Sequence, residues 1–138
     1  DDCIDYSKLS VTWANLQWDG GNISVGEKFN AGSKVFISGL TNLAESATSG
    51  NKHVTCEIGY SATDPNPSGA GWTWTTCPWN GDWGNEYYYQ GFTPAVSEAG
   101  TYYYTFRYRI DNGAYVYAGT DGLWNGANSV CGTFQVTR

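Results

Sequence analysis

A two-residue alternation in GTYYYTFRYRID, residues 100–111, constrains the fold of this chain more than any other feature. In an extended chain, one side of this segment is apolar or aromatic, whereas the other carries hydroxyls and two arginines. The apolar side comprises Tyr102, Tyr104, Phe106, Tyr108 and Ile110. The segment is therefore predicted to be a central strand with that side in the core. The DNG sequence at 111–113 follows it and predicts a tight hairpin.

Seven further segments carry strand signals, and Gly-, Asn- and Asp-rich turns separate them. They are residues 8–16, 28–39, 53–61, 72–79, 86–93, 114–119 and 131–138. Helical periodicity is hard to find, and the best candidate, 40–50, is short and polar enough to be a loop. The chain is predicted to be one all-β domain over 1–138, an antiparallel immunoglobulin-like β-sandwich of about eight strands.

The four cysteines are far apart in sequence and contain no CxxC pair. An even number of cysteines in a chain rich in Gly and Tyr favours disulfides and an oxidising compartment, although three pairings are possible. We prefer Cys3–Cys131, which ties the two ends of the chain, and Cys56–Cys77, which joins neighbouring strands. Four buried free thiols are the alternative.

The net charge of −6 argues against two classes of partner. Nucleic acids bind mainly through neutralised phosphates, and anionic lipids attract basic segments, so neither suits this surface. No stretch approaches the ~20 apolar residues of a membrane span. The chain starts at Asp1 without Met, and we expect it to be a mature or excised piece. A neutral or cationic partner is predicted.

Several short motifs occur together along almost the whole chain. They are WANLQW (13–18), EIGYS (57–61), WTW (72–74), GNEYYY (84–89), GTYYY (100–104), YVYAG (115–119) and DGLWNGANSVCGTFQV (121–136). In this order they resemble an accessory β-sandwich module of secreted multidomain bacterial proteins, similar to carbohydrate-binding modules. The resemblance implies secretion, a larger parent protein and a non-catalytic role, but it carries over no ligand residues.

Aromatic residues make up 17% of the chain, which exceeds what the predicted core needs. Trp and Tyr rings suit the apolar face of a sugar, and amide and carboxyl groups suit its hydroxyls. Such residues gather in WNGDWGN (79–85), DGLWNGANS (121–129) and the neighbouring tyrosines, where turns are predicted to carry them outward. The predicted ligand-binding residues are Trp79, Trp83, Trp124, Tyr88, Asn80, Asp82 and Asn125. Trp72 and Trp74 are predicted to be core.

Metal binding and catalysis receive little support from the sequence. Asp64 and the group Asp82, Asn85 and Glu86 carry oxygen ligands, but their spacing matches no calcium loop and capping of turns is favoured. His53 is the only histidine, and no GxSxG motif is present. We therefore expect no enzyme activity, no cofactor and no bound metal.

Two functions are weighed against each other. The first is a secreted carbohydrate-binding module that stacks a neutral polysaccharide of the glucan or xylan class and holds an attached enzyme or cell near it. The second is a structural or adhesive building block of an extracellular protein or appendage, in which aromatic faces bury against neighbouring copies.

Overall fold

The computed structural model describes residues 6–17, 20–38, 40–41, 53–63, 66–83, 86–119, 122–123 and 131–138, with only the backbone for 82–83 and 122–123. These residues form one short 3₁₀ helix, Tyr6–Lys8, and eleven strands. The strands are β1 Trp13–Leu16, β2 Gly20–Ser24, β3 Asn30–Phe36, β4 Val54–Ser61, β5 Thr73–Thr76, β6 Trp79–Trp83, β7 Glu86–Phe92, β8 Gly100–Ile110, β9 Val116–Gly119, β10 Gly122–Leu123 and β11 Gly132–Thr137.

The all-β prediction is confirmed, and each of the eight predicted segments contains a strand. The count of about eight was too low, because β2, β6 and β10 were read as turns or loops. Each of these three strands contains glycine and lies in a stretch rich in Gly, Asn and Asp, which sequence reasoning assigns to turns. In the sheet, neighbouring strands supply the hydrogen bonds that hold them extended.

The sheet is mixed, so a purely antiparallel arrangement is wrong. Its main path runs β2-β11-β8-β9-β1-β3-β7-β6, with β4 beside β8, β5 beside β4 and β10 beside β9. Most pairs are antiparallel, but β2 runs parallel to β11, and β1 runs parallel to β9 at Asn15 and Gly119. Strand β9 joins two halves of the network, one around β8 and the other around β1. It pairs with β8 on one side and with β1 on the other.

Side chains from both halves of the network meet in one core. On β8, the predicted inward residues Tyr102, Tyr104, Phe106 and Tyr108 are buried, which confirms the facing inferred from the alternation. The hydroxyl of Tyr108 donates to Ser33 Oγ on β3 at 2.7 Å. The Tyr108 ring also packs edge-on against Tyr89 of β7, with 5.5 Å between centroids. These contacts link β8 directly to β3 and β7.

The hairpin predicted at DNG forms, and its first residue, Asp111, has positive φ. Asp111 adopts φ 51°, in the left-handed region that Asp tolerates better than most residues. The Gly113 N–H then donates to the Ile110 carbonyl at 2.9 Å. The turn is followed by β9 beside β8, which places Tyr115 and Tyr117 near the two arginines of β8.

Buried tyrosines make the fold sensitive to alkali. Burial is the main cause that raises the pKa of both Tyr89 and Tyr108 above the usual value near 10, and nearby Cys56 raises both further. The unfolded chain therefore loses these protons first, and stability that is complete below about pH 10 falls as pH rises beyond it, by up to ~1.4 kcal/mol per group per pH unit.

We expect urea unfolding midpoints to drop between about pH 10 and pH 12, and Tyr89→Phe to reduce the slope of that drop. Both proteins should be compared across the same pH series. The dependence of the unfolding free energy on urea concentration, the m value, should be the same at each pH. A midpoint that stays level over this range would contradict the burial of these hydroxyls.

Candidate functional site

Strand β7 separates core tyrosines from an outward row. Tyr87 and Tyr89 are buried, whereas Tyr88 and Gln90 are half-buried on the opposite side of the sheet. Phe92 continues that outward row and is 51% exposed. Four residues of extended strand place Tyr88 and Phe92 about 13 Å apart along β7. Tyr88 therefore faces the side of the sheet opposite to Tyr87 and Tyr89.

A glycine on the neighbouring strand makes room for the Tyr88 ring. A Cβ atom added to Gly32 of β3 would stand 2.9 Å from both Cε1 and Cζ of the Tyr88 ring and closer still to its hydroxyl. Tyr88 is paired with Lys34 of β3, and its side chain reaches diagonally to Gly32, two residues along that strand. The hydroxyl end of the ring lies against Gly32.

Three amide side chains surround the Tyr88 ring. Asn80 Nδ2 on β6 donates to Gln90 Oε1 at 2.9 Å, and Gln90 Nε2 donates to Asn30 Oδ1 on β3 at 3.2 Å. The Tyr88 hydroxyl donates to Gln90 Oε1 at 3.4 Å. We call Asn30, Asn80, Tyr88, Gln90 and Phe92 the amide face. All five side chains are uncharged at neutral pH.

The amide face has a polar donor at its centre and an open groove at its end. Partial burial, and secondarily Cys77, raises the pKa of the Tyr88 hydroxyl, so it stays protonated at neutral pH. Asn30 and Phe92 also border a groove of about 680 Å³ whose other walls come from β2 and the turn before β3. The row of rings and amides therefore continues into a depression instead of ending at the strand terminus.

Of the predicted ligand residues, Asn80 and Tyr88 lie together on the amide face, but Trp79 does not. Trp79 pairs with Tyr89, packs half-buried against the core, and meets Tyr87 edge-on with 6.2 Å between ring centroids. Its Nε1 is buried and has no hydrogen-bond partner among the described residues. Its predicted position in a loop is wrong.

The reason is that residues 79–83 stay in the sheet as its terminal strand. Pro78 lacks the N–H that an inner strand needs, yet an edge strand tolerates it. A bulge between Trp79 and Gly81, where Gly81 has φ 153°, re-aligns the strand. The backbones of Asp82 and Trp83 pair with Tyr87 and Glu86. Their side chains, and all of Trp124 and Asn125, lie outside the described residues and remain sequence predictions.

Sequence reasoning missed Asn30, Gln90 and Phe92. The alternation in EYYYQGF already places Gln90 and Phe92 on the side of Tyr88, so that signal was present. Asn30 and Gly32 join them only because β3 pairs with β7, bringing together residues about sixty positions apart. No local pattern reports that pairing.

A second aromatic cluster lies on the outward side of β4, β5, β8 and β9. Trp72 stacks on Trp74 with 5.4 Å between centroids, and the Arg107 guanidinium lies 4.2 Å from the Trp74 ring centroid. The guanidinium groups of Arg107 and Arg109 lie 3.9 and 4.6 Å from the Tyr115 ring centroid. We call these five side chains, Trp72, Trp74, Arg107, Tyr115 and Arg109, the arginine stack.

The prediction that Trp72 and Trp74 are buried is confirmed for Trp72 but wrong for Trp74, which is half-buried in this cluster. Trp72 is buried, but against Trp74, and neither belongs to the central apolar cluster. Trp74 lies over Gly59, where an added Cβ would be 2.6 Å from the ring atoms Cδ2 and Cζ3. The outward position follows from its pairing with Gly59, which has the same facing as Glu57.

The predicted Cys56–Cys77 pair is brought together as two buried thiols on adjacent segments. The Cys77 N–H donates to the Cys56 carbonyl at 2.9 Å. Burial is the main cause that raises the pKa of the Cys56 thiol, and the Cys77 side chain raises it further. Cys131 is half-buried just before β11, whereas Cys3 lies outside the described residues. Both disulfides remain predictions.

Two further observations concern the described ranges alone. No helix in them is long and apolar enough to cross a membrane. No group of three or more His, Cys, Asp and Glu side chains among them converges in a way that would hold a metal ion.

Comparisons with known proteins add little. No protein-family model and no curated protein matches the sequence. Among solved structures, the chain is similar to a family 123 glycoside hydrolase from Clostridium perfringens, described for glycolipid glycan hydrolysis. The two are 11% identical with a TM-score of 0.42, and the match covers 94% of this chain but only 27% of that protein. So weak a likeness says nothing about the function of this chain.

Proposed function

We propose that this protein is a secreted, non-catalytic carbohydrate-binding module that stacks a neutral polysaccharide of the glucan or xylan class on its amide face. The observation that carries the proposal is the half-buried Tyr88 ring on the outward side of β7, whose hydroxyl end lies against Gly32 and hydrogen bonds into a chain of three amides. The finer description of the fold as an immunoglobulin-like sandwich is part of the same proposal, supported by the contacts from β8 to β3 and β7.

The chemistry of the amide face matches that of a sugar. A sugar ring has an apolar face of C–H groups and a fringe of hydroxyls. A flat tyrosine ring buries the apolar face, and a side-chain amide can donate to one hydroxyl and accept from another. Because Asn80, Gln90 and Asn30 already hydrogen bond to one another, little side-chain freedom is lost on binding.

The extent and charge of the face indicate the class of ligand. Tyr88 and Phe92 stand about 13 Å apart with Gln90 between them, which suits several units of a chain better than one sugar. The groove beyond Phe92 offers room for the chain to continue. The net charge of −6 disfavours an anionic ligand, so a neutral polymer is favoured. An attached enzyme or cell would be held near that polymer.

The test is affinity electrophoresis in gels that contain soluble glucan, mannan or xylan. We expect retardation of the native protein and at least about tenfold weaker binding for Tyr88→Ala, because the stacking surface is removed. Gly32→Ala should weaken binding similarly, since its Cβ displaces the Tyr88 ring without removing it. Tyr103→Ala, a half-buried tyrosine on the outward side of β8, is the matched control and should bind normally.

Retardation on none of these polymers would contradict the proposal. Self-association of the native protein that Tyr88→Ala abolishes would instead favour the structural or adhesive alternative. Trp83→Ala and Trp124→Ala belong in the same assay, because their side chains are predicted ligand residues from the sequence alone.

A further inference from the structure

Two arginines on one side of β8 differ in how their charge is balanced. Arg107 Nε and Nη2 each lie 2.6 Å from Glu57 Oε1, which neutralises that guanidinium. Arg109, two residues on, shares the Tyr115 ring with Arg107 but makes no ion pair with any described residue. Its Nε is buried and has no hydrogen-bond partner within the same set of residues.

Burial sets Arg109 apart from other cations without an ion pair. Lys8, Lys28 and Arg138 are exposed to water, whereas Arg109 is half-buried. Leaving a half-buried cation without an anion costs free energy, because burial removes hydration that nothing replaces. The cation–π contact with the Tyr115 ring offsets only part of that cost.

Arg109 is at the end of the arginine stack, where it lines a hollow of about 500 Å³. That volume is within the usual range for sites that bind small molecules. The hollow has apolar walls and polar groups that can hydrogen bond. It is lined by Tyr6, Ser7, Leu9, Ser10, Val11, Arg109, Ile110, Asp111, Asn112, Gly113, Ala114 and Val116.

One carboxylate already lines this hollow, but it has another partner. Asp111 Oδ1 lies 2.6 Å from His53 Nδ1, and the His53 ring stacks on Tyr6 with 3.8 Å between centroids. Asp111 is therefore held toward His53 instead of balancing Arg109. An anion supplied from outside would complete the charge balance that the described residues leave open.

We propose that this hollow binds a carboxylate-bearing sugar, a uronic acid residue, with its carboxylate on Arg109. The planar guanidinium fork matches a carboxylate in shape and charge. Leu9 and Val11 offer apolar surface to the C–H face of the ring, while Ser10 and Asn112 offer hydrogen bonds to its hydroxyls. The site is separate from the amide face and does not depend on the function proposed for that face.

The test follows the Arg Nε–Hε cross-peaks in ¹H–¹⁵N NMR spectra during titration with sodium glucuronate or with glucose. We expect glucuronate to shift the Arg109 cross-peak saturably and glucose to leave it in place. Arg109→Gln should weaken glucuronate binding at least about tenfold, because the charged hydrogen bonds are lost. Lys28→Gln, which removes an exposed cation elsewhere, should not weaken it.

Three outcomes would overturn the proposal. The first is that glucuronate leaves the Arg109 cross-peak unmoved in the wild type, a result that does not depend on whether Arg109→Gln folds. The second is that sodium acetate gives the same shift at the same concentration, which indicates a general anion site. The third is tighter binding of a glutamate-rich peptide than of glucuronate. Tyr88→Ala should retain glucuronate binding, so failure of one site is distinguishable from failure of the other.

Discussion

Phe106→Ala is expected to lower the free energy of unfolding by about 3–5 kcal/mol. Phe106 is fully buried in the middle of β8, where it pairs with Ile58 of β4 and stands between Tyr104 and Tyr108 on the inward side. Removing its ring takes away buried apolar surface and leaves a cavity that neighbouring large rings cannot readily fill. Urea denaturation followed by tryptophan fluorescence gives the unfolding midpoint.

Phe92→Ala is the matched control for this loss. Phe92 is also a strand phenylalanine but is 51% exposed, so the same substitution should change stability by no more than about 0.5 kcal/mol. Equal midpoints for wild type and Phe106→Ala would show that β8 does not bury the side predicted from its alternation.

The second large effect is expected from a Cys56–Cys77 disulfide. Because these thiols lie side by side in the core, we expect the protein to carry this bridge when oxidised and to lose about 3 kcal/mol of stability when it is reduced. The twenty residues between the two cysteines form the loop that the bridge would constrain in the unfolded chain. Non-reducing peptide mapping identifies the bridge, and denaturation with and without reductant measures its contribution.

A Cys56→Ala/Cys77→Ala variant is the control, since reductant should no longer act through this pair. Any loss of stability that reductant still causes in this variant then measures the contribution of the second predicted bridge, Cys3–Cys131. Peptide mapping that linked Cys3 to Cys56 would contradict both pairings. Reduction of the native protein should be slow, because burial raises the pKa of the Cys56 thiol and keeps reductants away.

The core was largely predictable because strands have a two-residue period. The alternation of β8 and that of β4 each place one set of residues inward from local sequence alone, and the structure buries Val54, Cys56 and Ile58 as predicted. Strand limits agreed within about three residues for seven of the eight predicted segments, but β1 begins at Trp13 and not at residue 8. Apolar alternation works here because only one side of these strands faces the core.

The edge of the sheet was less predictable. WNGDW reads as a turn because Asn, Gly and Asp favour turns, yet these residues form β6 beside β7. Local preferences of this kind amount to about 1 kcal/mol or less, and pairing with a long neighbouring strand outweighs them. The same effect accounts for β2, which lies along β11 in spite of two glycines.

The side of the sheet on which each tryptophan lies was predicted with mixed success, because it depends on strand pairing. Trp74 was expected in the core because it precedes Cys77 on a strand beside β4. Its actual side depends on register, since pairing with Gly59 aligns it with the outward residues of β4. A shift of one residue would have reversed the result. Sequence composition reports how many rings are present, but not on which side of a sheet each one lies.

The sequence by itself determined that this chain is all-β, which side of β8 is buried, and where the DNG hairpin forms. Those properties follow from the two-residue period and from turn chemistry, both of which are local. Only the tertiary structure decided that β3 pairs with β7, which brings the Tyr88 hydroxyl against Gly32. It alone also decided that Arg109, unlike Arg107, has no carboxylate partner among the described residues. These features depend on contacts between residues distant in sequence, where register and packing, rather than local preference, determine the neighbours.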